Sequence, residues 1–546
     1  LLIAYLGFFV GLRFLLRSEL RSKLTHFPTI GRVGALLALI VVGGYFGGML
    51  YWPYGWEAPF KHPFKALGEM SNFSTSIRML FEGKHMWSDE LPWYYIPKWI
   101  SIASPVFVLL GALAFPLLLL KNYKKTDTWL WLFLLYTLIF PVAYAIVKQS
   151  SLYDGMRHFL FVYPVLVVIA ATGWQWLSTL LPAKAFQLGT QGVMVVLMAI
   201  PLLWMVRNHP YQASYFNPLS GGIQSAYAHY ETDYWMNSMK ELSQWFVENN
   251  EDVKSGKEVT IATTTSQSVG HYMKALAPNV KVIYTRYNDR HKKPADYYFF
   301  YSRFVNEGLQ KSGAWPPDEL VHEITAGGVP IATISKRNTS FDLEGFQLEQ
   351  SNDIQAALEA YKKEVAANPK NEVAWMGVAS TNYRLGNYPA AKEAIDQMLT
   401  LSPSHLNHNI WNGLYHKAVG EIEAAKAAFE RCIELNYKSN IVYYHLATIY
   451  ATEQNMGKVL SLLEQFDLHN GNLPQAYDMA IGASNALGEK WKGVYFQSKK
   501  AYFLKDYQTS YRLLNQALPY LRGYEPATKL KALYDRSQAQ QQKNNQ

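Results

Sequence analysis

The chain has 546 residues, 49% hydrophobic and 17% charged, with a formal net charge of +9. Its single cysteine, Cys432, excludes an intramolecular disulfide framework and leaves no second thiol for a metal site. Nearly all long apolar runs lie before about residue 206, and much of the positive excess sits in the short loops between them, so the charge does not call for a nucleic-acid partner.

In chain order, six apolar segments come first, at roughly 1–16, 33–52, 100–120, 129–147, 159–180 and 187–206. A helix needs ~20 apolar residues to cross a bilayer core. These runs lack strand alternation, and lipid offers the backbone no hydrogen-bond partners, so helices are predicted. No basic region precedes the apolar start at Leu1, so no signal peptide is expected; a chain whose natural start lies further upstream is. Arg17, Arg21, Lys23 and Arg32 follow the first run, Lys121, Lys124 and Lys125 the third, and Lys184 the fifth. Cations concentrate in cytoplasmic loops, which puts loops 53–99 and 148–158, and everything after 206, on the outer face.

Residues 207–340 read as a small α/β domain, with strands predicted at 258–265, 280–287, 295–302, 320–325 and 329–335 and helices at about 234–249 and 267–276. Neither a G-x-G-x-x-G fingerprint nor a Walker pattern occurs. Residues 341–546 are helical and repeat: Pro369, Pro403 and Tyr437 are spaced 34 apart, with Trp375, Gly386, Tyr388 and Ala391, then Gly420, Ala425 and Phe429, then Tyr443, Leu446, Ala447 and Tyr450 in phase. That period and the alternation of small and aromatic residues predict an α-solenoid of tetratricopeptide type, whose usual partner is a peptide or protein. The polar tail from 537 is expected to be disordered.

The predicted fold is therefore a multi-span α-helical membrane domain (1–206), a small α/β soluble domain (207–340) and a tetratricopeptide-type α-solenoid (341–546). Three stretches could carry chemistry. Arg157 and His158 sit where an outer loop enters the fifth span; Arg157 suits a lipid phosphate and equally suits headgroup snorkelling. Residues 81–99 join Asp89, Glu90 and Lys98 to the aromatic run Trp93, Tyr94 and Tyr95, a set that fits a sugar or headgroup and fits an interfacial helix as well. Glu231 and Asp233 are close carboxylates in an aromatic setting, candidates for acid–base or acceptor-binding roles or for packing. No histidine spacing indicates a metal.

As an ordered set, PWYYIPKW, LYDGMRHFLFVYP and YFNPLSGG followed by ETDYW resemble the integral-membrane glycosyltransferases of the C superfamily, in the protein O-mannosyltransferase-like family 39 branch, over roughly residues 1–340. The resemblance, to bacterial members, implies a polyprenyl-phosphate-linked sugar as donor and transfer to a protein or envelope-glycan acceptor on the periplasmic face of the inner membrane; a divalent metal is not indicated. It matches Arg157 and His158 to the donor-phosphate end, and Trp93, Tyr94 and Tyr95 to an outer loop of the family. The family's acidic catalytic loop would lie before Leu1, so no catalytic base is carried over. The alternative is a non-catalytic membrane scaffold on a transferase-like fold that holds protein partners through its repeats. A transporter is disfavoured, because the spans hold almost no ionisable residues.

Overall fold

The computed structural model describes residues 27–71, 76–122 and 128–544, together with residues 11 and 15. The first predicted span, most of the cations after it, and Lys124 and Lys125 lie outside the described residues. The chain forms two compact units: residues up to Glu82 with Met86–Asn237 and Thr325–Val329, and Gly83–His85 with Ser238–Ile324 and Pro330–Gln546. The sequence-based boundary at 207 groups residues 208–237 with the α/β domain; in the structure they fold with the first unit.

The first unit is built on α1 (Phe27–Met49), α2 (Tyr95–Ala103), α3 (Val106–Asn122), α4 (Thr128–Val147), α5 (Tyr163–Ser178) and α6 (Lys184–Arg207), with short strands β1 (Arg78–Phe81) and β2 (Lys84–Trp87) in the loop before α2. Among the described residues three stretches are long and apolar enough to cross a membrane: Trp129–Val147, Arg157–Ser178 and Lys184–Arg207. Gly34–Met49 is apolar but shorter. The predicted span at 100–120 is broken instead: the helix direction turns by 119° between α2 and α3. Pro105 provides the reason, since it has no N–H and pushes Ser104 out of helical geometry, which Ser104 shows with ψ 140°. Asn217 occupies the break. Its side-chain amide donates to the carbonyls of Ser101 (2.6 Å) and Ser104 (2.8 Å), and its backbone N–H to that of Ile102 (2.8 Å). These bonds satisfy carbonyls that the interrupted helix leaves free.

Helices α3 and α5 approach closely because glycines face each other. A methyl group added to Gly173 would overlap the carbonyl of Gly111, and one on Gly111 the carbonyl of Ala170. Trp174 fastens the crossing by donating from Nε1 to the Phe107 carbonyl at 2.7 Å. The outward faces stay apolar: Leu113 is 71% exposed and Val196 64%.

The second unit opens with a five-stranded sheet of β3 (Val259–Thr263), β4 (Val280–Tyr284), β5 (Tyr297–Tyr301), β6 (Glu319–Ala326) and β7 (Val329–Lys336), with α7 (Ser238–Asn249) and α8 (Ser266–Leu276). The strand order is β4-β3-β5-β7-β6. β3 runs parallel to both β4 and β5, and β7 antiparallel to β5, in register Tyr297 with Lys336 and Tyr301 with Ala332. All five residues of β5 are buried, as expected of a central strand covered on both faces.

The solenoid follows as helix pairs: α9 (Phe341–Gln350) with α10 (Ile354–Ala367), α11 (Glu372–Arg384) with α12 (Tyr388–Leu401), α13 (Leu406–Ala418) with α14 (Ile422–Leu435), α15 (Asn440–Thr452) with α16 (Met456–Leu468), and α17 (Pro474–Ala486) with α18 (Lys490–Phe503). α19 (Tyr507–Ala517) and α20 (Glu525–Asn544) complete it. The turn inside each pair takes one left-handed residue, and these recur every 34 residues: Asn352, Gly386, Gly420, Gln454 and Gly488 all have positive φ. The left-handed residue ends one helix and frees the chain to reverse. Between helices, aromatic rings fill the space that glycines leave: Tyr361 against Gly377, and Phe429 against Gly413, where an added Cβ would meet the ring at 2.5 and 2.6 Å. The tail, expected to be disordered, continues α20 as far as Asn544. Its Gln, Ala and Lys residues are good helix formers, and the turns before them supply the nucleus.

Candidate functional site

The first unit gathers its polar side chains around the turn that leads into α5. Asp154 and Gly155 both take left-handed φ, 58° and 66°, which bends the chain sharply ahead of Arg157. Arg157 Nη1 donates to Asp154 Oδ2 at 2.6 Å; the carboxylate is buried and the guanidinium side chain 30% exposed. The guanidinium lies over two rings, 4.9 Å from the centre of Tyr153 and 5.2 Å from that of Trp235. Pairing and stacking leave Arg157 fixed in place but still accessible, with donors that the single contact to Asp154 does not exhaust. His158 packs edge-on against Tyr153 at 4.7 Å, and its buried Nε2 has no hydrogen-bond partner among the described residues.

Glu231 and Asp233 are each only 4% exposed. Asp233 Oδ1 accepts from the Asn237 backbone N–H at 3.0 Å, so it fastens its own turn. Tyr234 senses the whole cluster. Burial raises its hydroxyl above the ordinary range, the Trp235 hydrogen bond lowers it, Asp154 raises it, Arg157 lowers it and Glu231 raises it.

Beside this cluster lies a cavity of about 680 Å³ whose lining includes Gly155, Met156, Tyr163, Leu202, Met205 and Tyr234. Its walls are apolar except near Gln212 and the tyrosines, so it suits a hydrocarbon chain and offers little to a free sugar.

The loop residues do not form one aromatic platform. Trp93 is 69% exposed whereas Tyr95 is 2% exposed, because successive residues entering α2 point to different sides. Tyr95 instead joins two of the motif stretches: its hydroxyl accepts from the Gly155 N–H at 3.2 Å. Lys98 pairs with Glu82 at 3.2 Å, and Tyr94 donates to the same carboxylate at 3.1 Å. Asp89 and Glu90 are exposed and, with Trp93 and Tyr95, line a separate cleft of about 350 Å³. Among the described residues no group of three or more His, Cys, Asp or Glu is placed to hold a metal ion.

In the second unit the solenoid carries a half-buried aromatic group across successive repeats. Tyr383 of α11 meets Trp411 of α13 at 5.7 Å and Tyr388 of α12 at 5.7 Å, and Lys392 lies 5.9 Å from the Tyr415 ring. Family models of the tetratricopeptide repeat match residues 348–405 and 413–439. The solenoid is built of tetratricopeptide repeats. Solved structures similar to this chain include MamA, at 22% identity over 30% of this chain and 95% of that one with a TM-score of 0.26. They also include the type IV pilus biogenesis factor PilW, at 16% identity over 34% and 94% with a TM-score of 0.26, and a thermophilic TPR protein of Thermus thermophilus, at 19% over 32% and 95% with a TM-score of 0.27. No curated protein matches the sequence. No glycosyltransferase family model matches the first unit.

Arg157, His158, Glu231 and Asp233 stand out in the sequence, whereas Asp154, Tyr234 and Asn217 join them only in the structure. Asp154 stands three residues before Arg157, a spacing that signals a local ion pair. Asn217 gave no such signal, because the carbonyls it meets are more than a hundred residues away.

Proposed function

We propose that this protein is a membrane-held scaffold that recruits a protein partner through its tetratricopeptide solenoid. The observation that carries the reading is the aromatic group Tyr383, Tyr388 and Trp411, half-buried and in contact across two repeats, with half-buried Tyr415 one turn beyond Trp411 on α13. Aromatic side chains presented by a rigid helical array bring large contact area at small entropic cost. The long apolar helices with outward-facing Leu and Val supply the anchor: such surface is unfavourable in water and natural in lipid. In this reading the helices sit in the bacterial inner membrane with residues 207–546 on the periplasmic face, a placement supported by the cations of the loops on the other side, among them Arg32, Lys121 and Lys184. The test places a photo-crosslinking residue at Trp411 in the full chain in membranes. A discrete adduct is expected, weakened at least tenfold by Tyr383→Ala and absent when the crosslinker sits at exposed Lys458. Equal adducts from both positions would overturn the reading.

A second reading has its own support. Arg157, held by Asp154 beside an apolar cavity of about 680 Å³, suits the phosphate of a polyprenyl-phosphate sugar whose tail enters the cavity. In that case the first unit takes part in sugar transfer, and the repeats recruit the acceptor. Membranes holding the full chain would be given a radiolabelled polyprenyl-phosphate sugar. Transfer lost in Arg157→Ala supports this reading; equal or absent transfer in both opposes it.

A further inference from the structure

Between α1 and β1 the chain forms two short helices, Pro53–Glu57 and His62–Ser71, that neither reading uses. Their sequence, PYGWEAPFKHPFKALGEMS, interleaves aromatic rings with cations and contains no run long enough to cross a bilayer.

The longer helix has three distinct faces. The N–H groups of Lys61 and His62 both donate to the Ala58 carbonyl, at 3.0 and 2.9 Å, so the helical turn reaches back to Phe60. Phe60, Phe64 and Leu67 then stand at i, i+4 and i+7 on one face, and they are 76%, 65% and 63% exposed. On one side of this apolar stripe stand exposed Lys61 and Lys65, the second 3.8 Å from Glu69. On its other side His62, Pro63 and Ala66 are half-buried. His62 fastens that side: its ring stacks on Tyr54 at 3.9 Å, and its Nδ1 lies 2.6 Å from the Tyr54 carbonyl oxygen. The helix is thus held by one face while the apolar stripe beside it is turned outward.

The end of α1 fixes where this stripe sits. The Tyr45 hydroxyl donates to the Pro59 carbonyl, and the Tyr45 ring stacks on Phe60 with centres 6.3 Å apart. Tyr45 stands one turn before Met49, the last residue of α1. α1 is apolar, with Leu39 69% and Val42 55% exposed, and such surface belongs in lipid. A segment tied to Tyr45 therefore starts within about 6 Å of the end of α1, at 1.5 Å per residue, where hydrocarbon gives way to headgroups. Trp56 and Tyr51, 49% and 95% exposed, are the ring types that favour this depth. The lysines beside the stripe select the occupant. At a lipid boundary their stems lie along the hydrocarbon and their ammoniums reach the phosphates.

We propose that the helix His62–Ser71 lies in the plane of the bilayer at the C-terminal end of α1. Phe60, Phe64 and Leu67 enter the acyl boundary, and Lys61 and Lys65 meet the phosphates of lipids with net negative charge. This rests on the membrane reading of the apolar helices and adds to it a surface contact that senses lipid charge, whereas a spanning helix requires only hydrocarbon.

The test uses the full chain in vesicles, with an environment-sensitive fluorophore on a single cysteine. Cys432, the native thiol, is buried and is replaced by Cys432→Ser. Labels go on Phe64→Cys in the stripe, on Glu69→Cys on a different face, and on Val196→Cys on the exposed flank of α6. In phosphatidylcholine vesicles with brominated acyl chains, quenching of the Phe64 label should exceed that of the Glu69 label at least threefold, and the Val196 label should be quenched too. Replacing part of the phosphatidylcholine by phosphatidylglycerol should raise quenching at Phe64 further, and Lys61→Gln/Lys65→Gln should abolish that rise. Quenching at Val196 with Phe64 and Glu69 alike overturns the proposal and leaves the membrane reading standing. No quenching at Val196 overturns the membrane reading itself, and the proposal with it. No rise with phosphatidylglycerol, or a rise that survives loss of both lysines, overturns the lipid-charge contact. A disulfide-linked dimer of unlabelled Phe64→Cys would put a second copy on the stripe and overturn the proposal as well. If the Phe64→Cys chain does not enter vesicles, Leu67→Cys takes its place with the same expected and opposing results.

Discussion

Arg290 and Glu372 form a bidentate ion pair, with both guanidinium–carboxylate bonds at 2.8 Å and both side chains almost fully buried. The pair joins the 3-10 turn Tyr287–Lys292 of the α/β domain to the first turn of α11. Asn371 accepts a further bond from Arg290 at 3.1 Å, the Tyr287 carbonyl another at 3.1 Å, and the Tyr287 ring lies 4.3 Å from the guanidinium. Every face of the charge is thus met, as a buried cation requires.

Removing one partner should be costly. Glu372→Ala leaves Arg290 charged and unpaired in the interior, and such breaks cost about 3–5 kcal/mol. The expected result is a melting transition of the second unit several degrees lower, together with new proteolytic cleavage near residue 338. The double variant Arg290→Met/Glu372→Met should recover most of the loss, because no uncompensated charge remains. A melting curve for each variant checks both statements.

His408 predicts an acid-labile solenoid. Burial lowers its imidazole to about 4, against the weaker upward effect of Glu372 and of backbone hydrogen bonds. The unfolded chain takes up that proton near pH 6.5 and the folded chain does so only near 4. Between these values the unfolded state holds more protons, so stability is full above about pH 6.5 and falls as the pH drops toward 4. The loss from this one group is about 3 kcal/mol. His408→Asn should flatten the dependence of melting temperature on pH over that window; an unchanged slope would exclude His408 as its source.

The repeat was legible because its period is fixed by packing. Pro369, Pro403, Gly386 and Gly420 mark it in the sequence, yet the structure continues the same spacing through Gln454 and Gly488. The turn at Gln454 carries no mark of its own, since a left-handed glutamine looks like any surface residue whereas glycine advertises the conformation; Tyr443, Leu446, Ala447 and Tyr450 mark that unit instead. The strands of the α/β domain were legible from short apolar runs between turns. The break at Pro105 was visible as a residue but was absorbed into an apolar run, since hydropathy averages over a single proline. The closure of that break by Asn217, and the pair Arg290–Glu372, depend on partners far apart in sequence, which local pattern cannot pair. Within the candidate site, Arg157 stood out by its charge, while the exposure of Trp93 and the burial of Tyr95 follow from the turn that leads into α2, which a list of aromatics does not contain.

The α3–α5 crossing should be intolerant of added volume. Gly111→Ala forces a methyl against the Ala170 carbonyl and the Trp174 ring, neither of which is a flexible chain end. Overpacking of this kind costs about 1–3 kcal/mol, and helices that pack through small residues depend on backbone proximity. Gly111→Ala and Gly173→Ala should each lower the melting temperature in detergent, whereas Gly189→Ala on α6, where nothing lies within 4 Å, should not. Equal effects at all three positions would point to helix propensity or detergent rather than to the crossing.

Asp154 and Arg157 can be separated by substitution. Asp154 holds one guanidinium nitrogen and opposes its charge, so Asp154→Asn frees donors and positive charge at the mouth of the apolar cavity. Arg157→Gln removes the charge and the stacking on Tyr153 and Trp235. If the cavity takes a lipid whose phosphate meets Arg157, retention of a fluorescent polyprenyl phosphate by the purified chain should fall at least tenfold in Arg157→Gln. It should hold or rise in Asp154→Asn, even though that variant melts lower because its strained left-handed turn has lost an ion pair. Arg157→Lys should retain the charge yet lose part of the affinity, since an ammonium cannot stack on the two rings or offer a planar pair of donors. Parallel loss in Asp154→Asn and Arg157→Gln would mean that the pair serves the fold, and the phosphate would then have to be held elsewhere.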